Sequence, residues 1–132
     1  MGFKIFMFLI VLLIPAIMIG FGAYFQKMGP KNINRIFGYR TARSMKSQET
    51  WTFAHRYIGR IWFILGWILL ALSILSMLLL AQKDRDLVGN IGTIVLYIQL
   101  TVLILPLIPT EWALHRRFDA KGVPLPFKEE KK

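Results

Sequence analysis

The sequence predicts an all-α membrane protein with three transmembrane helices, in which a basic amphipathic loop-helix leads into the second span. Three runs without an acid, a lysine, an arginine or a histidine, at 5–26, 61–82 and 87–110, contain 22, 22 and 24 residues. Because a helix rises about 1.5 Å per residue, and about 20 apolar residues cross a bilayer core, each run is long enough to span a membrane. This segregation excludes an ordinary soluble globular protein.

The first uncharged run is predicted to be a retained transmembrane helix. A secretory signal peptide is the alternative, since Lys4 precedes the run and Gly20 and Gly22 form a weak small-x-small cleavage site. The run is, however, longer than the roughly 7–15 apolar residues of a signal-peptide core. Pro15 is expected to bend this helix because proline lacks a backbone N–H.

An amphipathic helix is predicted just before the second span, after an irregular basic stretch. Ser47 is a suitable N-cap, and Glu49 would place a negative charge in the first turn. Apolar residues then recur every three or four positions, at Trp51, Ala54, Ile58 and Trp62. The helix either continues straight into the span or bends at Gly59, and its aromatic residues, Trp51 among them, suit the membrane interface.

The third span contains Gln99 near mid-membrane, where an unsatisfied amide is costly. Gln99 is therefore expected to face another helix. A packing role is favoured over transport because the three runs lack the ionisable groups of proton relays. Beyond the span, Thr110 is expected to cap a short helix over about 111–120 that Gly122 closes, with Glu111 in its first turn. The alternative is a span that continues and bends at its prolines.

The basic residues predict the orientation of the chain in the membrane. Of the 17 lysines and arginines, 14 lie in segments 27–60 and 111–132, whereas the 83–86 turn is neutral. The positive-inside rule then places the 27–60 loop and the 111–132 tail in the cytoplasm, with the N-terminus outside. The net charge of +10 favours contact with anionic headgroups of the lipid bilayer. No nucleic-acid partner is expected, because no recognition motif accompanies the charge.

Several function classes find no support in the residues. The chain has no cysteine, and its two histidines, His55 and His115, are far apart in the sequence, so no metal site is expected. It lacks a P-loop, an H-E-x-x-H zinc motif and a G-x-S-x-G nucleophile elbow. Neither enzyme activity nor a cofactor is therefore expected.

Residues 34–59 contain a long motif, Asn-Arg-x-x-Gly-Tyr-Arg-Thr-x-Arg-Ser-Met-Lys-Ser-x-Glu-Thr-Trp-x-x-Ala-x-Arg-Tyr-x-Gly. This motif resembles the signature of the SdpI family of small bacterial membrane proteins. The segment from Thr110-Glu111 to Gly122 resembles the ending of that family, so the likeness covers roughly 5–122 of a single 1–132 module. His55 stands where the family has Asn, and both side chains can donate and accept hydrogen bonds.

The resemblance implies binding rather than catalysis. The family is named for an immunity protein that protects bacteria from a secreted, membrane-active toxic peptide, and that protein is also linked to signalling at the plasma membrane. A toxic peptide or a membrane-protein partner would then bind to this chain. The alternative is a small accessory subunit of a larger membrane complex or transporter.

The polar groups of segment 27–60 form the candidate site. Arg40 and Arg43 carry planar guanidinium groups that grip carboxylates bidentately, and Glu49 is available to pair with one of them. Gly38 permits backbone conformations closed to other residues. These residues either tie the loop to the helix bundle or contact a ligand, lipid or partner. The full set of candidates is Arg35, Gly38, Arg40, Thr41, Arg43, Ser44, Glu49, Trp51 and Arg56, with Gln99 inside the membrane and Glu111 in the C-terminal motif.

Overall fold

A computed structural model describes residues 2–27 and 29–125, in which four helices follow one another. They are α1 (Gly2–Lys27), α2 (Gln48–Leu79), α3 (Arg85–Ile104) and α4 (Leu107–Arg117). The all-α fold with three transmembrane helices is confirmed, since three stretches are long and apolar enough to cross a membrane, with α3 and α4 together forming the third. Position 28 and the end of the predicted tail, 126–132, lie outside the described residues.

Glycines allow the backbones of α1 and α2 to touch. A methyl group on Gly22 would lie 2.6 Å from the backbone nitrogen of Phe63 and 2.8 Å from the carbonyl oxygen of Gly59. A methyl group on Gly66 would lie 3.0 Å from the backbone nitrogen of Ile19. The later residue of α2, Gly66, meets the earlier residue of α1, Ile19, so the two helices run antiparallel. The end of α1 therefore lies beside the first turns of α2.

The start of α2 is confirmed at the residue that the sequence predicts. The Ser47 hydroxyl accepts a hydrogen bond from the backbone N–H of Thr50 at 3.1 Å, and the Thr50 hydroxyl accepts one from the backbone N–H of Ser47 at 3.0 Å. This reciprocal pair satisfies two donors that a helix start leaves free. At Gly59 the helix continues without a break, since α2 runs uninterrupted to Leu79.

The third span breaks earlier than the sequence predicts. α3 ends at Ile104, and α4 begins at Leu107, directly after Pro106. The prediction that Thr110 caps this helix is wrong, because Thr110 lies inside α4 and its hydroxyl donates to the carbonyl oxygen of Pro106 at 2.7 Å. Pro106 lacks an N–H, and its ring clashes with the carbonyl of the residue four positions earlier, so the helical hydrogen bonding is interrupted there. Pro109 is tolerated because it lies in the first turn of the new helix.

A side chain of α3 compensates for the proline in the middle of α1. Pro15 has no N–H, so the carbonyl of Val11 lacks the partner that a regular helix would supply. The Gln99 amide nitrogen donates to that carbonyl oxygen at 2.7 Å and to the Ser73 hydroxyl of α2 at 2.6 Å. Gln99 is fully buried, and it joins all three spans at one point.

Candidate functional site

Trp51 fixes the basic loop, defined here as residues 29–47, to α2. Its indole nitrogen donates to the carbonyl oxygen of Pro30 at 2.7 Å, and its side chain is 0% exposed. The Trp51 side chain therefore contacts protein rather than lipid, because the basic loop folds over this face of α2 and covers it. Gly29 begins the loop with a φ of 58°, which glycine adopts without strain.

His55 holds the middle of the basic loop. Its Nε2 atom lies 2.8 Å from the backbone nitrogen of Tyr39, and its Nδ1 atom lies 2.8 Å from the carbonyl oxygen of Trp51. A backbone N–H only donates and a carbonyl only accepts, so Nε2 accepts, Nδ1 donates and the imidazole is neutral. His55 precedes the uncharged run of α2 and so lies outside the span. Burial lowers the pKa of His55 below its usual value.

We expect the basic loop to loosen in mild acid. Because folding lowers the pKa of His55, the unfolded chain binds a proton more readily. The stabilisation is therefore complete above the usual pKa of 6.5 and is lost as the pH falls from there towards the lowered value. The exchange protection of the Tyr39 amide should decrease over this range, as measured by hydrogen exchange corrected for intrinsic rates. His55→Asn should remove this pH dependence and His115→Asn, an exposed position, should keep it. An unaltered profile in His55→Asn would contradict the assignment.

Glu111 ties the basic loop to α4. Its Oε2 atom accepts hydrogen bonds from the Tyr39 hydroxyl and the Thr41 hydroxyl, each at 2.6 Å. Burial raises the pKa of the Tyr39 phenol, and the hydrogen bond to Glu111 and its charge raise that pKa further, so the phenol stays protonated and donates. A residue of α4 thus positions a loop segment about 70 residues earlier in the chain.

Thr41 and Ser44 close a tight turn beside this contact. The Ser44 hydroxyl accepts from the backbone N–H of Thr41 at 2.9 Å and donates to the carbonyl oxygen of Tyr39 at 2.8 Å. The Thr41 hydroxyl accepts from the backbone N–H of Ser44 at 3.1 Å. Gly38 has a φ of 116°, and a methyl group there would lie 2.7 Å from Nε2 of His55. These residues therefore organise the loop and satisfy one another's polar groups.

Tyr39→Phe should weaken the attachment of the basic loop to α4 by about 1.5–3 kcal/mol, the usual range for a hydrogen bond to a charged group. The substitution removes one hydroxyl and keeps the buried ring. Hydrogen exchange or limited proteolysis of the loop should show faster opening. Tyr97→Phe is the matched control, because the ring of Tyr97 is exposed on α3. If both variants opened at the parent rate, the bond to Glu111 would not be what holds the loop.

The arginines of the candidate site lie on its surface. All four arginines of the candidate site are exposed: Arg35, Arg40, Arg43 and Arg56. Arg40 donates from Nε to the carbonyl oxygen of Asn34 at 2.9 Å. Within residues 2–27 and 29–125, no ion pair joins Glu49 to Arg40 or Arg43, so the predicted pairing does not form. Glu49 is exposed in the first turn of α2, on the face that also carries Thr52, Phe53 and Arg56.

The chain after α4 turns back onto the start of α2. Gly122 does not close α4 as predicted, because the helix ends before it and Gly122 lies in a separate turn with a φ of 84°. The Ser47 hydroxyl donates to the carbonyl oxygen of Gly122 at 2.6 Å. The Asp119 carboxylate accepts from the backbone N–H groups of Val123 and Lys121, which lowers the pKa of Asp119. Ser47 therefore caps α2 and anchors the C-terminal turn.

A known protein family matches the part of the chain that contains the basic loop and the second and third spans. The SdpI/YfhL protein family matches residues 31–110, which include most of the basic loop, all of α2 and all of α3. The chain belongs to the SdpI/YfhL family. The uncharacterized protein YfhL of Bacillus subtilis (strain 168) is 36% identical over 59 residues, which are 45% of this chain and 54% of YfhL. The chain therefore matches about half the length of the YfhL protein. No solved structure matches the chain.

Two residues that hold the loop of this SdpI/YfhL protein, Tyr39 and His55, were missing from the predicted site. Both occur in the 34–59 motif, but motif membership does not show which side chains point inwards. The signal for His55 was its place on the apolar face of α2, one position after Ala54 and four after Trp51. The signal for Tyr39 was weaker, because its partner Glu111 belongs to a distant motif.

Proposed function

We propose that this SdpI/YfhL chain is an immunity protein of the bacterial plasma membrane, which binds a secreted, membrane-active toxic peptide or shields its target. The proposal rests on one feature of the basic loop. Buried contacts through Tyr39, Thr41 and His55 fix the loop from beneath, while arginines lie exposed on its outer side. Such a fixed display of donors suits recognition of a partner, because little conformational entropy is lost on binding.

The chemistry of the loop favours a partner with carboxylates. Arg43 is exposed, and Arg40 uses Nε on the loop itself, which leaves its terminal nitrogens available. Guanidinium groups bind carboxylates in a planar, bidentate geometry that lysine does not reproduce. A peptide carboxylate, either from a side chain or from the C-terminus, therefore fits this surface. Binding rather than catalysis, and no cofactor, are part of the proposal.

The proposed orientation places the N-terminus outside and the basic loop in the cytoplasm, following the distribution of basic residues. In this orientation the loop meets a peptide that has entered the inner leaflet, or a cytosolic partner in signalling. Reporter fusions after residues 4, 46, 85 and 125 should report outside, inside, outside and inside. A fusion at 46 that is active on the outer side alone would overturn the orientation.

Lysine substitutions in the basic loop test the proposed function. Arg40→Lys and Arg43→Lys keep the charge but lose the planar fork. Each should lower the protection of a sensitive bacterium against a membrane-active peptide by about tenfold, in line with the loss of a charged hydrogen bond. Glu49→Gln is the control, and it should protect like the parent because Glu49 pairs with neither arginine. An immunoblot of the membrane fraction should show equal amounts of all variants.

Two outcomes would contradict the proposal in different ways. Full protection by Arg40→Lys and Arg43→Lys would mean that the basic loop acts through net charge alone. A parent chain that protects against no peptide, but co-purifies with a larger membrane complex or transporter, would favour the accessory-subunit alternative. The peptides to be used are those from bacteria that encode SdpI/YfhL proteins beside genes for secreted peptides.

A further inference from the structure

A small polar cleft lies between the end of α1, the start of the basic loop and one face of α2. Its volume is about 190 Å³, and its walls include Lys31 from the loop and Gln48, Thr52, His55 and Arg56 from α2. The Gln48 amide donates to the carbonyl oxygen of Lys31 at 2.6 Å and to the Thr52 hydroxyl at 3.2 Å. The loop and the helix are therefore joined at the rim, and the cleft has a defined shape.

The charges around this cleft are all positive. Lys31 and Arg56 line it, and its described walls contain no acidic residue. His55 adds no charge, because its two nitrogens face the backbone of Tyr39 and of Trp51. Two cations beside the Thr52 hydroxyl form a donor set that suits a compact oxyanion, with the planar guanidinium of Arg56 able to bind two of its oxygens.

The position of the cleft along the helices places it at the membrane surface. Arg56 lies five residues before the uncharged run of α2, and Phe25, in the last turns of α1, forms part of the wall. The basic loop folds back towards the bilayer, since the ring of Phe37 packs 5.8 Å from that of Phe21 and 6.2 Å from that of Tyr24. Beside Phe37, Ile36 is 92% exposed, as expected for a side chain that meets lipid.

We propose that this cleft binds the phosphate of one anionic phospholipid headgroup. Lys31 and Arg56 hold the phosphate oxygens, while Ile36 and Phe37 contact the adjoining acyl region of the same leaflet. The site is distinct from the outward surface of Arg40 and Arg43, and it does not depend on the immunity function. A bound headgroup would fix the start of the basic loop against α2 from the membrane side.

Binding of short-chain phosphatidylglycerol to the purified full-length protein in an uncharged detergent tests the site, with bound lipid counted by native mass spectrometry. Arg56→Gln and Lys31→Gln should each weaken this binding by about tenfold. Arg60→Gln is the matched control, because Arg60 lies one turn further along α2 and does not line the cleft. It should bind phosphatidylglycerol like the parent. Lys31 is an exposed loop residue, so its variant keeps the test valid if Arg56→Gln misfolds.

Two further arms identify the ligand. Short-chain phosphatidylcholine should bind more weakly than phosphatidylglycerol, since its choline opposes the two cations, and inorganic phosphate at the same concentration should not displace the lipid. Equal losses in Arg56→Gln, Lys31→Gln and Arg60→Gln would show diffuse charge attraction and overturn the site. Displacement of the lipid by inorganic phosphate would assign the cleft to free phosphate and overturn the lipid proposal.

Discussion

Gly22→Ala is expected to separate α1 from α2 and to be among the most destabilising single substitutions in the chain. The added methyl group would lie 2.6 Å from the backbone nitrogen of Phe63 and 2.8 Å from the carbonyl oxygen of Gly59. Both neighbours are backbone atoms of α2, so no side-chain rotation relieves the contact and the helix itself must move. Overpacking of this kind costs about 1–3 kcal/mol. The unfolding free energy of the purified protein in detergent, measured by denaturant titration, should fall by about this amount relative to Gly20→Ala.

Gly20→Ala provides the control for that experiment. Gly20 lies two residues earlier on α1, and a methyl group there would meet nothing within 4 Å. The two substitutions are chemically identical and change helix propensity equally, so their difference reports the contact with α2 alone. Gly20→Ala should be neutral or slightly stabilising, because alanine favours helix over glycine. Equal stability of the two variants would contradict the close approach of the backbones.

The spans could be predicted from the sequence because their signal is local. Hydrophobic runs and charge boundaries mark where a helix must satisfy its own backbone in lipid, and the Ser47 cap depends on residues three positions apart. The contact between Gly22 and Gly59 has no such signal, since glycine also occurs where nothing approaches, as at Gly20. Which glycine is essential depends on the rotation of each helix about its axis, and packing of the whole bundle sets that rotation.

The candidate site could be predicted only in part, because its local motif is visible in the sequence and its long-range contacts are not. The sequence placed the candidate groups in segment 27–60, where Thr41 and Ser44 close a turn of the basic loop and Trp51 of α2 donates to Pro30. It did not show that Trp51 is covered, because amphipathic spacing cannot distinguish a loop from a membrane as the apolar neighbour. The contact of Tyr39 with Glu111 joins residues 72 apart, so no local sequence pattern indicates it.

Prolines and helix ends leave backbone carbonyls without a helical hydrogen-bond donor. Two polar side chains in the spans, Trp62 and Gln99, donate to such carbonyls. The Trp62 indole donates to the carbonyl oxygen of Leu103 at 3.1 Å, one residue before α3 ends. Gln99 does the same for Val11, which Pro15 deprives of its helical partner. In lipid an unpaired carbonyl is costly, so a polar residue in one span can be required by a proline in another. Neither the proline nor the polar residue, taken alone in the sequence, indicates that the two are linked.

Gln99→Met is therefore expected to destabilise the protein by about 1–3 kcal/mol, the cost of leaving the buried Val11 carbonyl without a donor. Methionine has a similar volume, so the loss of the hydrogen bonds outweighs any cavity. The penalty should depend on Pro15. In Pro15→Ala the new backbone N–H can pair with the Val11 carbonyl inside α1, and Gln99 is no longer needed for that purpose.

A double-mutant cycle measures this dependence. The unfolding free energies of the parent, Gln99→Met, Pro15→Ala and the double variant, determined in the same detergent, give the coupling between the two positions. We expect Gln99→Met to cost at least about 1 kcal/mol less in the Pro15→Ala background than in the parent. The hydrogen bond to Ser73 is lost in both backgrounds and cancels. Gln99 Oε1, which has no partner among the described residues, is likewise removed in both. Additive effects would therefore mean that Gln99 acts through Ser73 and α2, and that the proline in α1 is accommodated without it.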